Sequence, residues 1–129
     1  MATIKRFEDI KAWQLARELC KTIHGFTLRS SFSRDYRLIG QIKGSSGSIM
    51  DNIAEGFERN GNREFIQFLS ISKGSSGETR SQLYRAIDNE YITKEEFDAT
   101  FQKVEEVSKL ICGFMEYLNQ SDIKGIKFK

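Results

Sequence analysis

The chain has 129 residues, enough for one domain with a hydrophobic core. Hydrophobic residues make up 39% and charged residues 29%, an ordinary balance for a soluble protein, and no run of 18 apolar residues is present to span a membrane. The formal net charge of +2 is too small to establish nucleic-acid binding, and two cysteines, Cys20 and Cys112, exclude a disulfide framework.

There is no proline, which favours long uninterrupted helices. The start "MATIKRFEDIK" lacks the apolar region of a signal peptide. With both cysteines inside helical apolar patterns, reduced core thiols and a cytoplasmic location are expected.

Apolar spacing of three and four predicts four helices. The first runs from about Phe7 to Leu28, with Ile10, Ala12, Ala16, Leu19, Cys20, Ile23 and Phe26 on one stripe and Glu8 and Asp9 meeting the dipole at its start. After "RSSFS", with Ser33 as the expected N-cap, the second runs from about Arg34 to Glu58 through Ile39, Ile42, Ser46, Ile49, Ile53 and Phe57. "RNGN" at 59–62 reads as a break whose Asn60 or Asn62 can cap the next helix. The third helix runs from about Arg63 to Asn89, with Phe65, Phe68, Leu69, Ser72, Ser76, Thr79, Leu83 and Ile87 on one side. The fourth opens at "TKEE", where Thr93 as N-cap and Glu96 three residues on form a capping box, and continues through Phe97, Phe101, Val104, Val107, Ile111, Phe114, Met115 and Leu118.

Helices this long with short connections imply an all-α, antiparallel up-down four-helix bundle. The expected organisation is a short basic N-terminal segment (1–6), a single bundle domain (7–120) and a basic C-terminal tail (121–129).

The pentapeptide KGSSG occurs at 43–47 and again at 73–77, with Ser45 and Ser75 each fifteen residues from position 60. A phosphate cradle would need a strand, a Gly-rich loop and a helix, with Lys after the glycines. Here Lys comes first and helical spacing runs through both copies. If the second and third helices form a hairpin, the copies face each other, and close backbone packing is expected to offset the helix cost of their glycines, about 0.8–1 kcal/mol each.

Catalytic and metal chemistry lack a signature. His24 is the only histidine, with Cys20 four residues before it, and no further cysteine pair or Glu-x-x-His completes a zinc or di-iron set. His24 is expected to be a partly buried structural residue. No nucleophile elbow is present, so no catalytic residue, metal or cofactor is assigned. Asn52, Glu55 and Arg59 share one face of the second helix, where a structural role is expected.

Charge is uneven: residues 1–63 carry +4 and residues 64–129 carry −2. Lys11, Arg17 and Lys21 on the first helix, with Arg29, Arg34 and Arg37 around the first turn, are the candidate phosphate-contacting residues. Neither helix-turn-helix spacing nor an RNP-like aromatic strand is present, so base-specific readout is not expected.

The stretch "SIMDNIAEGFERNGNREFIQFLSISKGSSGETRSQLYRA" at 48–86 resembles a bacterial four-helix bundle family, the proteins encoded within intervening sequences of 23S ribosomal RNA genes. The family pattern falls on Ser48, Ile49, Asn52, Ile53, Ala54, Glu55, Gly56, Phe57, Arg59, Glu64, Phe65, Phe68 and Leu69. The opening "FEDIKAWQLARELC", with Trp13, is similar as well, and the likeness covers residues 7 to about 118. Met50 stands where the family usually has Pro, so a kink there is not expected. The resemblance implies structural roles for Asn52, Glu55, Gly56 and Arg59. It also implies similarity to the accessory protein of diversity-generating retroelements, a barrel-like homopentamer with basic surface that binds nucleic acid and a reverse transcriptase.

The expected function is a non-catalytic homopentameric scaffold that binds RNA or DNA weakly, with a reverse transcriptase or another protein as a further partner. The alternative is a protein–protein adaptor without a nucleic-acid role. Trp13, Phe32, Ile66 and Ile71, apolar residues off the main stripes, are the expected source of subunit contacts.

Overall fold

A computed structural model describes residues 4–123; of the expected basic tail (121–129), residues 121–123 continue the last helix and the remainder lies outside the described residues. A short 3-10 turn at Phe7–Asp9 precedes four α-helices: α1 (Lys11–Thr27), α2 (Tyr36–Glu58), α3 (Asn62–Asp88) and α4 (Lys94–Ile123). The chain is all-α among these residues. α1 packs on α2 and α4, and α3 packs on α2 and α4, with no close backbone approach across either diagonal among the described residues. This is a square bundle in which each helix touches the helices before and after it, as an up-down path requires.

Buried positions follow one rhythm. Most fall at 12, 16, 19, 23 and 26 in α1, at 38, 42, 45, 49, 53 and 56 in α2, at 65, 69, 72, 76, 79, 83 and 86 in α3, and at 100, 104, 107, 111 and 118 in α4, with Trp13, Thr27, Ser46, Asn62, Ser75, Ser108 and Ser121 buried beside them. Steps of three and four, with one double step from 111 to 118, keep one seam facing the bundle axis, the pattern of helices crossing at about 20°.

Ends differ from the sequence reading in physically sensible ways. The first helix starts at Lys11 because residues 7–9 form a 3-10 turn and Ile10 is extended (φ −76°, ψ 121°). Asp35, not Ser33, caps α2: its carboxylate accepts the Leu38 N–H at 3.1 Å. Gly61 (φ 121°) takes the N-cap position of α3, a backbone setting that suits glycine, and no side chain caps that end. Asn62 instead is buried, and its Nδ2 donates to the Leu118 carbonyl at 3.4 Å. The Thr93–Glu96 capping box forms as expected: the Thr93 N–H reaches Glu96 Oε1 at 2.9 Å and the Glu96 N–H reaches Thr93 Oγ1 at 3.1 Å. α2 passes through Met50 without interruption.

Three of the four apolar residues expected at subunit contacts are used within the chain. Phe32 is fully buried and stacks on Tyr91 with centroids 4.5 Å apart, closing the end of the bundle where α1 meets α2. Trp13 is buried edge-on to Phe7, and Ile66 is half-buried against the core. Only Ile71 is open, at 52% exposure.

Candidate functional site

Both KGSSG copies lie inside helices, one in α2 and one in α3. Their serines, not their glycines, make the contact. Ser45 Oγ lies 2.9 Å from Thr79 Oγ1 and donates to Gln82 Oε1, Ser75 donates to Ser48 Oγ at 2.8 Å, and Ser72 donates to the Ile49 carbonyl at 2.7 Å. Facing pairs are therefore 45 with 79, 48 with 75 and 49 with 72. Mirror symmetry about residue 60 would pair 45, 48 and 49 with 75, 72 and 71, so the partners are displaced by four, three and one residues. A methyl group at Gly44, Gly47 or Gly74 would meet no heavy atom within 4 Å, so the expectation that these glycines permit close packing is corrected. The hydroxyls are small enough to bring the helices together and carry their own hydrogen-bond partners. No buried side-chain polar atom among the described residues lacks a partner.

The motif residues build the other end of the α2–α3 hairpin. Gly56 is the close approach: a Cβ there would stand 2.7 Å from Phe68 Cβ and 2.8 Å from Phe65 Cδ1. Arg59 pairs with Glu55 at 2.9 Å and lays its guanidinium over the Phe68 ring, 5.0 Å from the centroid. Asn52 donates to the Ser48 carbonyl and to Ser48 Oγ, both at 2.9 Å, and so extends the hydroxyl seam toward the motif.

The six candidate basic residues occupy separate places. Arg17 and Lys21, one helical turn apart, are exposed on α1. Arg34 and Arg37 are exposed at the corner leading into α2. Lys11 opens α1 at the opposite end from Arg29, about 27 Å away along the helix axis. Arg29 lies at the α1–α2 corner with its charge met inside the chain. Its Nη1 donates to Glu96 Oε1 at 2.7 Å, its Nη2 pairs with Glu96 Oε2, and its guanidinium covers the Phe26 ring. The Arg29 hydrogen bonds, helped by the Thr93 N–H, hold the Glu96 carboxyl at about 2, well below the usual carboxylate range. Sequence reading missed this pairing because 67 residues separate the partners. At the same corner Asp35 accepts both the Leu38 N–H and the Tyr91 hydroxyl (2.8 Å), which lowers its pKa.

His24 is exposed rather than partly buried. Among the described residues no three His, Cys, Asp or Glu side chains are arranged to hold a metal ion, and no helix is long and apolar enough to cross a membrane. Both cysteines are free, and burial pushes the Cys20 thiol up, away from reactive thiolate.

The fold is similar to the crystal structure, at 1.70 Å, of a protein of unknown function from the S23 ribosomal protein family of Bacteroides thetaiotaomicron VPI-5482. The TM-score is 0.74 at 25% identity, over 81% of this chain and 97% of that one. No curated protein matches the chain. The family model of the 23S rRNA-intervening sequence proteins matches residues 8–113, from the 3-10 turn to the second half of α4. That span includes the whole hydroxyl seam and the Gly56 approach, and the chain belongs to the 23S rRNA-intervening sequence protein family.

Proposed function

We propose that this chain is a non-catalytic, cytoplasmic helical scaffold that assembles as a homopentamer and binds RNA or DNA weakly through repeated basic surface. The observation that carries the nucleic-acid reading is a set of exposed cations without carboxylate partners. Arg17, Lys21, Arg34 and Arg37 are all exposed, and none is in an ion pair with a described residue. One chain presents these as two small groups, and five copies in a ring would repeat both around a circumference. Each phosphate contact releases counterions, so multivalent display converts weak local charge into measurable affinity. Open apolar side chains support self-assembly: Leu28, Tyr36, Ile71 and Tyr84 are between 51% and 79% exposed.

Fluorescence anisotropy with labelled single-stranded RNA and duplex DNA tests the reading. Affinity should fall by at least tenfold between about 50 and 200 mM salt, and replacing Arg17, Lys21, Arg34 and Arg37 by Gln should flatten that dependence. Absence of binding at low salt, or binding indifferent to salt, would overturn it. In that case the same exposed apolar residues favour the second reading, a protein–protein adaptor, recognised by a partner retained after nuclease treatment.

A further inference from the structure

A groove of about 370 Å³ opens between the start of α1 and the second half of α4. Ile4, Ile10 and Ala12 form one side, and Leu110, Phe114 and Tyr117 form the other. Leu110 and Tyr117 keep 36% and 37% of their surface exposed. The polar side chains that line it include two lysines, Lys11 and Lys109, and no carboxylate. Neither lysine is in an ion pair with a described residue. The carboxylates nearest Lys11 in sequence, Glu8 and Asp9, each lie 3.7 Å from Arg6. Glu105 and Glu106, a turn before Lys109, line a second depression on α4; Lys109 stands on the rim between the two and lines both, whereas neither carboxylate lines the groove.

Apolar walls with cations along them select a ligand that has an apolar body and a negative head. A wholly polar ligand would lose hydration against the walls without gaining partners. A cationic amphiphile would meet like charge. The volume stands near the lower limit of small-molecule sites, about 300–1,000 Å³, which suits one aliphatic chain better than a two-chain lipid. Lysine stems can extend the apolar wall while their ammonium groups stay at the wet edge. We propose that this groove binds a free single-chain aliphatic carboxylate, with its chain along Ile10, Ala12, Leu110 and Phe114 and its head group at Lys11 and Lys109. The proposal stands apart from self-assembly and nucleic-acid binding, so either can fail without the other.

Gly113 supplies a clean test. It lines the groove, and a Cβ there would meet no heavy atom within 4 Å. Gly113→Leu therefore fills the groove from an open position, and Leu is the better helix former. Calorimetric titration of the full chain with octanoate, decanoate and dodecanoate, each as monomer, should show binding that tightens about fourfold per added methylene until the groove is full. Decyltrimethylammonium should bind at least tenfold more weakly than decanoate. Gly113→Leu should abolish binding while Tm holds or rises, and the Lys11→Gln/Lys109→Gln pair should weaken decanoate and leave decanol unchanged. Equal binding of the anionic and cationic amphiphiles would overturn the proposal. So would unchanged decanoate binding in Gly113→Leu, or retention only on anionic phospholipid vesicles. Loss of self-association in Gly113→Leu, with no decanoate binding by the parent chain, would overturn it too and make the groove a contact between copies.

Discussion

A methyl group at Gly56 has nowhere to go, because Phe68 Cβ and the Phe65 ring stand within 2.8 Å of its site. The ring of Phe65 is buried and the Phe68 Cβ is fixed by the helix backbone, so neither yields cheaply. Gly56→Ala should destabilise the chain by about 1–2 kcal/mol, overpacking exceeding the gain in helix propensity. Gly44→Ala meets open space and should stabilise it by up to ~1 kcal/mol. Urea denaturation of the two variants beside the parent checks both signs. Equal shifts would show that the α2–α3 approach is looser than 2.7 Å implies. The sequence distinguishes these glycines only partly. KGSSG repeated twice draws the eye, yet its glycines face outward, while Gly56 sits in a family pattern without local emphasis. Spacing reveals which face a residue occupies, but a glycine's neighbour 9 to 12 residues on, across a turn, depends on hairpin register, and register is a tertiary quantity.

At the scale of elements, two connections tie the bundle end together. The α1–α2 corner contributes Arg29, Phe32 and Asp35, and the α3–α4 corner contributes Tyr91, Thr93 and Glu96. Arg29 spans both, donating to Glu96 and to the Tyr91 carbonyl at 3.4 Å. Glu96 serves twice, as the reciprocal half of the capping box and as the arginine's partner. Its carboxyl is held at about 2 against an ordinary 4.5, so its contribution is complete above about pH 4.5 and disappears as pH falls toward 2. Asp35, also lowered, adds loss in the same direction. Glu96→Gln should therefore reduce stability at neutral pH and flatten its decline over that acid window, measured as Tm against pH. An unchanged acid slope would mean that the pair is held apart by solvent. The capping box was legible in "TKEE" because its geometry is local. Arg29, read as a phosphate contact, carries a different duty because a partner 67 residues away cannot be read from spacing.

The whole molecule was the most legible scale. Four apolar stripes, a turn of Asn and Gly, and no proline led to four helices whose neighbours in sequence are neighbours in space. The surface was less so. Three of four apolar residues expected at subunit contacts close the chain's own core, because bundle ends need covering as much as bundle sides. The fourth, Ile71, stays open, and so do Leu28, Tyr36 and Tyr84, which were not among the expected contacts. If copies associate through such residues, Ile71→Lys should weaken assembly while leaving helix content unchanged, read by sedimentation and circular dichroism together; retained assembly would place the contact elsewhere. The basic groups on α1 and at its corner gain phosphate contacts in number only when copies are joined, so assembly is the condition on which the nucleic-acid reading depends. The most direct measurement is solution mass by sedimentation equilibrium at low protein concentration. The account predicts a closed species of about 75 kDa, five copies of the 14.9 kDa chain. A single species at 14.9 kDa that persists as concentration rises would contradict it.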